Sequence, residues 1–194
     1  MSRNVRIEGK FVILDELQPK YFKYIIKWRN DPELTRYLNQ PFKLTMELQT
    51  KWYEEKYLND KSQGLFVMID KATNVPFGTL GWTDWDEKSK VCIEGRALVG
   101  NLDFRGSKEM TEGYLLLNEY VYETLGVKNV YIHVVNDNKK VISLNKRWGF
   151  HEHDGEPKYP HELFVNGMHQ TEYVRTYDEY KSIKEKIENI LQML

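Results

Sequence analysis

The chain has 194 residues, 41% hydrophobic and 29% charged, with a formal net charge of -1. That length buries a core without staples, and the near-neutral balance removes the electrostatic case for nucleic acid or an anionic membrane as main partner. The lone cysteine, Cys92, excludes an internal disulfide, and no run approaches the roughly 20 apolar residues of a membrane helix. The opening MSRNVRIEGKFVIL lacks the apolar run and cleavage site of a secretory signal, so a cytoplasmic location is expected.

VRIEGKFVILDEL alternates apolar and polar residues and reads as a first strand. Helical spacing follows at Tyr21, Ile25 and Trp28. The helix is expected to break near Asn30-Asp31-Pro32, because a residue before proline is pushed out of the helical region. Asp31 reads as the cap of a second short helix with Pro32 at its first position. Thr45 opens a third, with Leu48, Trp52 and Tyr57 near one face. Residues 64–70, 77–86 and 90–100 read as three strands of an antiparallel meander. A long amphipathic helix then carries Met110, Tyr114, Leu117 and Val121 on one side and ends at Gly126. Residues 129–135 read as a strand and 138–148 as a helix stopped by Gly149. GFHEHDG and ELFVNGMHQTEYVRTY read as two closing strands, the second with a turn signal at Asn166-Gly167. The last helix, 178–194, carries Ile183, Ile187, Ile190, Leu191 and Leu194 on one stripe and is expected to be appended to a single domain spanning 1–194. This order predicts the mixed α/β class.

Several stretches bear a resemblance as well as a pattern. VNDNKKVISLNKRWGF carries Asn138, Ile142, Leu144, Arg147, Gly149 and Phe150. IEGRALVGNLDFRG places Glu94 six residues before Gly100, and KWRNDPELTRYL carries Trp28 and Arg29 on a helix that breaks. With the closing FVNGMHQTEYV, these resemble in order and spacing the GNAT-superfamily N-acetyltransferases. The branch is the one that includes ribosomal-protein-alanine, spermidine and nucleotide-sugar amine N-acetyltransferases. The resemblance implies a central, mostly antiparallel sheet with a splayed pair of parallel strands, flanked by helices. It implies acetyl-CoA as co-substrate, its arm lying along Leu98, Val99 and Gly100 with Asn138 and Arg147 on the cofactor side, and the acceptor beside Trp28 and Arg29. In the family the next strand would begin its splay near residues 133–135. Two departures stand out. The family's phosphate loop has an Arg followed by spaced glycines; Arg105 matches, but Lys108 and Met110 stand where the glycines belong. Many members carry a late-helix Tyr as general acid, where this chain has Asn145.

The chemistry of acetyl transfer sorts the remaining candidates. A pyrophosphate is held by converging N–H groups at a helix start, which Gly106, Ser107, Lys108, Glu109 and Met110 are placed to supply. Glycine gives such a loop close approach, not its donors, so from the loop alone a phosphate site and a plain helix start both stay open. An amine must lose a proton before attack, and Glu94, mid-strand, is the expected base; a structural hydrogen bond or ion pair is its alternative. Asp84 and Asp86 come second, behind a hairpin-turn role. The neutral amide of Asn145 is no ordinary acid but can hydrogen-bond a thiolate; a helix-surface residue with no role is the alternative. Trp28, Trp52, Trp82 and Trp85 are the expected aromatic set of the acceptor cleft, or else core. His133, His151, His153, His161 and His169 lack zinc spacing, and the HEH pair at 151 and 153 reads as loop solvation, so no metal is expected. The resulting expectation is an N-acetyltransferase that works by direct attack on a small primary amine. An amino sugar, nucleotide-linked forms included, stands ahead of a polyamine. A protein N-terminus (ribosomal or other) and a catalytically impaired acyl-CoA-binding module are the rivals, and the chain is expected to be a monomer or homodimer.

Overall fold

In the computed structural model, which describes residues 4–38, 42–165 and 167–193, the first expected strand is a hairpin. β1 (Arg6–Glu8) pairs antiparallel with β2 (Val12–Glu16). The cause is tertiary. Glu112 buries its carboxylate against the turn and accepts the N–H groups of Lys10 (2.7 Å), Phe11 (2.6 Å) and Val12 (2.9 Å). Alternation alone does not reveal a turn whose donors are satisfied from a distant element.

The other strands are β3 (Gly64–Asp70), β4 (Val75–Asp86), β5 (Val91–Val99), β6 (Asn129–Val135), β7 (His151–Glu152), β8 (Phe164–Val165) and β9 (Met168–Thr176). Among the described residues eight strands run in the order β1-β2-β3-β4-β5-β6-β9-β7, and β8 pairs with β9 off that path. The expected meander is present: β3, β4 and β5 pair antiparallel. β5 and β6 are parallel. The sheet is therefore mostly antiparallel with one parallel pair. Asn166, half of the expected turn, lies outside the described residues, as does Leu194.

The helices are α1 (Phe22–Arg29), α2 (Pro32–Thr35), α3 (Met46–Trp52), α4 (Lys108–Glu119), α5 (Lys139–Arg147) and α6 (Tyr177–Gln192). Asp31 caps α2 through the N–H of Glu33 (2.9 Å), and Thr45 caps α3 through that of Leu48 (3.2 Å), as their positions in the sequence suggest. Both α3 and α4 widen into a π turn, at Tyr53–Tyr57 and Tyr120–Thr124, a detail that four-and-three spacing does not carry. The period-2 alternation of the strands sends side chains to two different cores. Val12, Leu14, Phe66 and Met68 meet Leu117 and Val121 on the face covered by α4. Ile13, Leu65, Val67 and Ile69 meet Phe22, Ile25 and Leu44 on the face covered by α1. α6 lays Tyr180 and Leu191 into the first core, while Ile190, expected on the same stripe, is 57% exposed. No helix among the described residues is long and apolar enough to cross a membrane.

Candidate active site

The sheet splits between β5 and β6. Their parallel pairing covers three positions, Val91↔Asn129 to Ile93↔Tyr131, and then stops, while β6 stays paired with β9 as far as Val135↔Gln170. The split thus opens at Ile132, slightly before the expected 133–135. The register of β4 on β5 also shifts between Thr79 and Gly81, and Arg96 sits at φ +55, so β5 is bulged where the split begins. Gly100 donates its N–H to Phe77 O on the β4 side (2.7 Å). Antiparallel alternation then turns the Leu98 N–H the same way and the Val99 N–H towards β6. Of the three residues expected to line the arm, Val99 therefore offers the backbone donor. Gly100 matters for its lack of a side chain. A Cβ there would overlap the Trp28 indole, so the glycine lets α1 close on the strand end.

The loop before α4 combines features of both readings left open by its sequence. Gly106 has φ +72, which excludes easy replacement by other residues. Ser107 caps the helix, its Oγ accepting the Met110 N–H (3.2 Å), and its own N–H is used by Phe104 O (3.2 Å). Two of the five expected donors are thus spent inside the loop. The N–H groups of Gly106, Lys108 and Glu109 carry no hydrogen bond among the described residues. The Lys108 ammonium lies over the Phe11 ring, 4.4 Å from its centroid, on the helix face that also carries Glu112. Arg105 is exposed.

α5 follows directly on β6, the far strand of the split. None of its residues is buried, although Val141, Ile142 and Leu144 pack partly against the core below. An amphipathic helix this incompletely covered leaves apolar surface open. Asn138 caps it through Oδ1, which accepts the Val141 N–H (3.4 Å), so its amide NH2 is not needed for the cap. Asn145 is half-buried and its backbone oxygen takes the N–H groups of Trp148 and Phe150, both at 3.0 Å. Arg147 is exposed at the helix end.

Glu94 lies on the α4 side of β5 and is buried. Its Oε2 is 3.8 Å from Arg175 Nη2. Burial drives the carboxyl up to about 7, against the opposing pull of Arg175. Arg175 is fully enclosed: it donates to Trp148 O (2.8 Å), Tyr122 Oη (3.2 Å) and Asn118 Oδ1, and its guanidinium lies 4.2 Å from the Phe150 ring centroid. Asp86 is taken up by its hairpin, accepting the Lys88 N–H (2.8 Å) and the Ser89 hydroxyl (2.6 Å), and Asp84 is exposed beside it.

On the opposite face of the sheet, a cavity of about 510 Å³ lies between α1, α3 and the strands β3 to β5. Ile25, Leu44, Leu65 and Leu98 form its apolar wall. Asn30 ties the segment beyond α2 to the end of α1, donating to Leu44 O and accepting from Leu44 N, both at 2.8 Å. Of the four tryptophans expected here, Trp52 lines the cavity and Trp28 closes on Gly100 beside it. The other two lie elsewhere: Trp82 is core, between Phe66 and Tyr120, and Trp85 packs against that same core. β4 turns both to the α4 face, which local sequence does not specify. Arg29 lines the cavity as expected.

A family model described as an acetyltransferase (GNAT) domain matches residues 12–151. The chain belongs to the GNAT acetyltransferase family. Its activity is accordingly acetyl-CoA-dependent acetyl transfer. The acetyltransferase is 23% identical to the spermidine N(1)-acetyltransferase of Escherichia coli (strain K12) over 163 residues, 82% of this chain and 81% of that one. It superposes on the spermidine N-acetyltransferase of Vibrio cholerae, solved with CoA and spermine, with a TM-score of 0.75 at 16% identity, covering 89% and 99% of the two chains. On FdhC, a nucleotide-linked sugar GNAT, the TM-score is 0.76 at 19% identity, with 97% and 99% covered. At these identities the two superpositions establish the fold of the acetyltransferase and leave its acceptor open.

Reasoning from the sequence missed several residues of this GNAT acetyltransferase. Arg96 and Gln49 line the cavity, and Arg175 answers Glu94 from β9. An arginine inside an apolar strand is the one local signal that was available for Arg96 and Arg175. Two of the histidines meet a carboxylate that sequence reasoning did not pair with them. His133 on β6 and His153 flank the buried Glu172 carboxylate at 3.0 and 2.7 Å. Among the described residues no three His, Cys, Asp or Glu side chains are grouped to hold a metal ion.

Proposed function

We propose that this acetyltransferase moves the acetyl group of acetyl-CoA onto a primary amine of a small molecule, by direct attack within a ternary complex. The observation that carries the reading is the split sheet with something to offer on each side of it. β5 ends at the Val99 edge and leads to the start of α4, β6 leads to the incompletely covered α5, and the cavity lies across β5. These parts fit an extended cofactor with an anionic end. Gly106, Lys108 and Glu109 supply N–H donors to its pyrophosphate at a helix start. Val141, Ile142 and Leu144 cover its arm, and the Asn138 amide and Val99 backbone give that arm polar partners. Arg105 and Arg147 add positive charge where the groove is exposed. Bound acetyl-CoA supplies the activated acyl group; the rest of the chemistry falls to the chain.

The Val99 N–H, held rigidly by the bulged strand, polarises the thioester carbonyl. Glu94, poised near neutrality by burial, takes the amine proton, through water because its carboxylate and the cavity lie on opposite faces of β5. Direct attack is favoured because Cys92 is buried and its thiol is pushed well above its ordinary range, which leaves it a poor nucleophile. Asn145 contributes at most a hydrogen bond to the leaving sulfur. Trp28 and Arg29 border the acceptor; Trp82 and Trp85 support the sheet from the other core. An amino sugar is favoured over a polyamine, since the cavity combines an indole with basic side chains. A cytoplasmic location accords with the free thiol. Thiol release from acetyl-CoA against a panel of amines tests the proposal. Turnover with at least one small amine is expected. Cofactor binding without turnover on any amine, peptide N-termini included, would instead support an acyl-CoA-binding module.

A further inference from the structure

The charged lining of the cavity has one sign in excess. Arg29 comes from the end of α1, Arg96 from the bulge of β5, and Lys51 and Lys56 from α3 and its π turn, against the single carboxylate of Glu55 among the described lining residues. Of these five charged groups the two arginines are half-buried and the other three exposed. Burial lowers both from the ordinary arginine value, and the Arg29 charge lowers Arg96 further, as expected of neighbouring like charges. Arg96 is also held in place. Its guanidinium donates to Gln63 Oε1 and lies 5.5 Å from the Trp52 ring centroid. The Gln63 amide is itself oriented by Asp60, to which it donates at 2.6 Å. Beside this pair, Gln49 is 4% exposed and its Nε2 has no hydrogen-bond partner among the described residues. A buried amide donor left unpaired costs stability unless something else accepts from it.

Guanidinium, guanidinium and amide NH2 all donate. We propose that Arg29, Arg96 and Gln49 form an oxyanion subsite, and that the acceptor amine therefore carries a phosphate or carboxylate group. This rests on the acetyl-transfer reading for the amine but not for the anion. A polycationic acceptor such as spermidine is a poor match: its second and third ammonium groups would enter a cavity already rich in cations. Planar guanidinium groups suit two oxygens of one phosphate or carboxylate, and a third donor suits its remaining lone pairs.

Calorimetric titration in the presence of saturating CoA tests the subsite without turnover. CoA fills the anion site at the start of α4, so binding seen with it present reports the cavity. Glucosamine 6-phosphate is compared with glucosamine, threonine with threoninol, and spermidine is run alongside. At least one anion-bearing member is expected to bind ~10-fold or more tighter than its partner without the anionic group, the scale of a charge-assisted pair in a partly desolvated site. Which pair shows it distinguishes phosphate from carboxylate. The preference should shrink in ~0.5 M salt, where screening is strong, and fall to near parity in Arg29→Gln and in Arg96→Gln. The comparison of ligands on the wild-type protein stands even if Arg96→Gln, which also loses its Gln63 bond, folds poorly. Equal binding of partners with and without the anionic group, tighter binding of spermidine, or loss of the preference when CoA is added would overturn the subsite. Failure of every amine to be acetylated would remove the proposed reaction and leave the anion result intact.

Discussion

At the scale of single residues, Glu94 carries two demands at once. It is buried against Arg175, which an ion pair of structural purpose would also be, and its carboxyl titrates near 7, which suits a base at neutral pH. Kinetics separates the two. A base acts in its ionised form, so kcat/KM should rise as pH climbs through about 7 and level off above it. Glu94→Gln should lower turnover by ~100-fold at neutral pH and remove that limb. A mutant that keeps the wild-type rate and profile would leave Glu94 only its pairing role. Asn145 is the opposite case. Its amide cannot donate a proton as an acid does, so Asn145→Ala should cost about 1 kcal/mol of transition-state stabilisation, one hydrogen bond's worth. A loss of several orders of magnitude in kcat would refute that assignment.

At the scale of elements, the proposed phosphate site before α4 has to work without the family's spaced glycines. Gly106 stays because the backbone there is left-handed at φ +72. The positions of Lys108 and Met110 are ordinary helix, which needs no glycine; the Lys108 N–H stays open, while that of Met110 goes to the Ser107 cap. Lys108 points towards Phe11, off the axis of the helix. Lys108→Gly should therefore bind acetyl-CoA nearly as well as the parent protein. Lys108→Glu, reversing a charge near the helix start, should weaken it roughly 10-fold, less at high salt. Titration of acetyl-CoA into the three proteins reads this out, and identical affinities would mean that the pyrophosphate is held elsewhere. Capping at Asp31 and Thr45 was legible beforehand because each cap depends on residues within three positions. The turn between β1 and β2 was not, because its donors end on Glu112.

At the scale of the molecule, Arg175 joins what the sheet separates: β9 to β5 through Glu94, to α4 through Asn118, and to the end of α5 through Trp148 O. Replacing it with methionine leaves a buried carboxylate without its counter-charge. Thermal or denaturant unfolding of Arg175→Met should show a loss of about 3 to 5 kcal/mol, and a loss under about 1 would show that the site relaxes around the change. The amino-acid sequence by itself determined which segments are strands and which helices, where most of them end, and through its ordered motifs the family. Those follow from periodicity, caps and spacing, which act over a few residues. Only the tertiary structure decided which face of β4 carries Trp82 and Trp85, and that Glu94 meets Arg175. It also decided that the Leu98 and Gly100 donors are spent on β4 while Val99 faces the split, and that Arg29, Arg96 and Gln49 share one cavity. Each depends on the bulge and register of β5 against β4. A shift of one residue there exchanges the two faces of a strand while barely altering its local pattern.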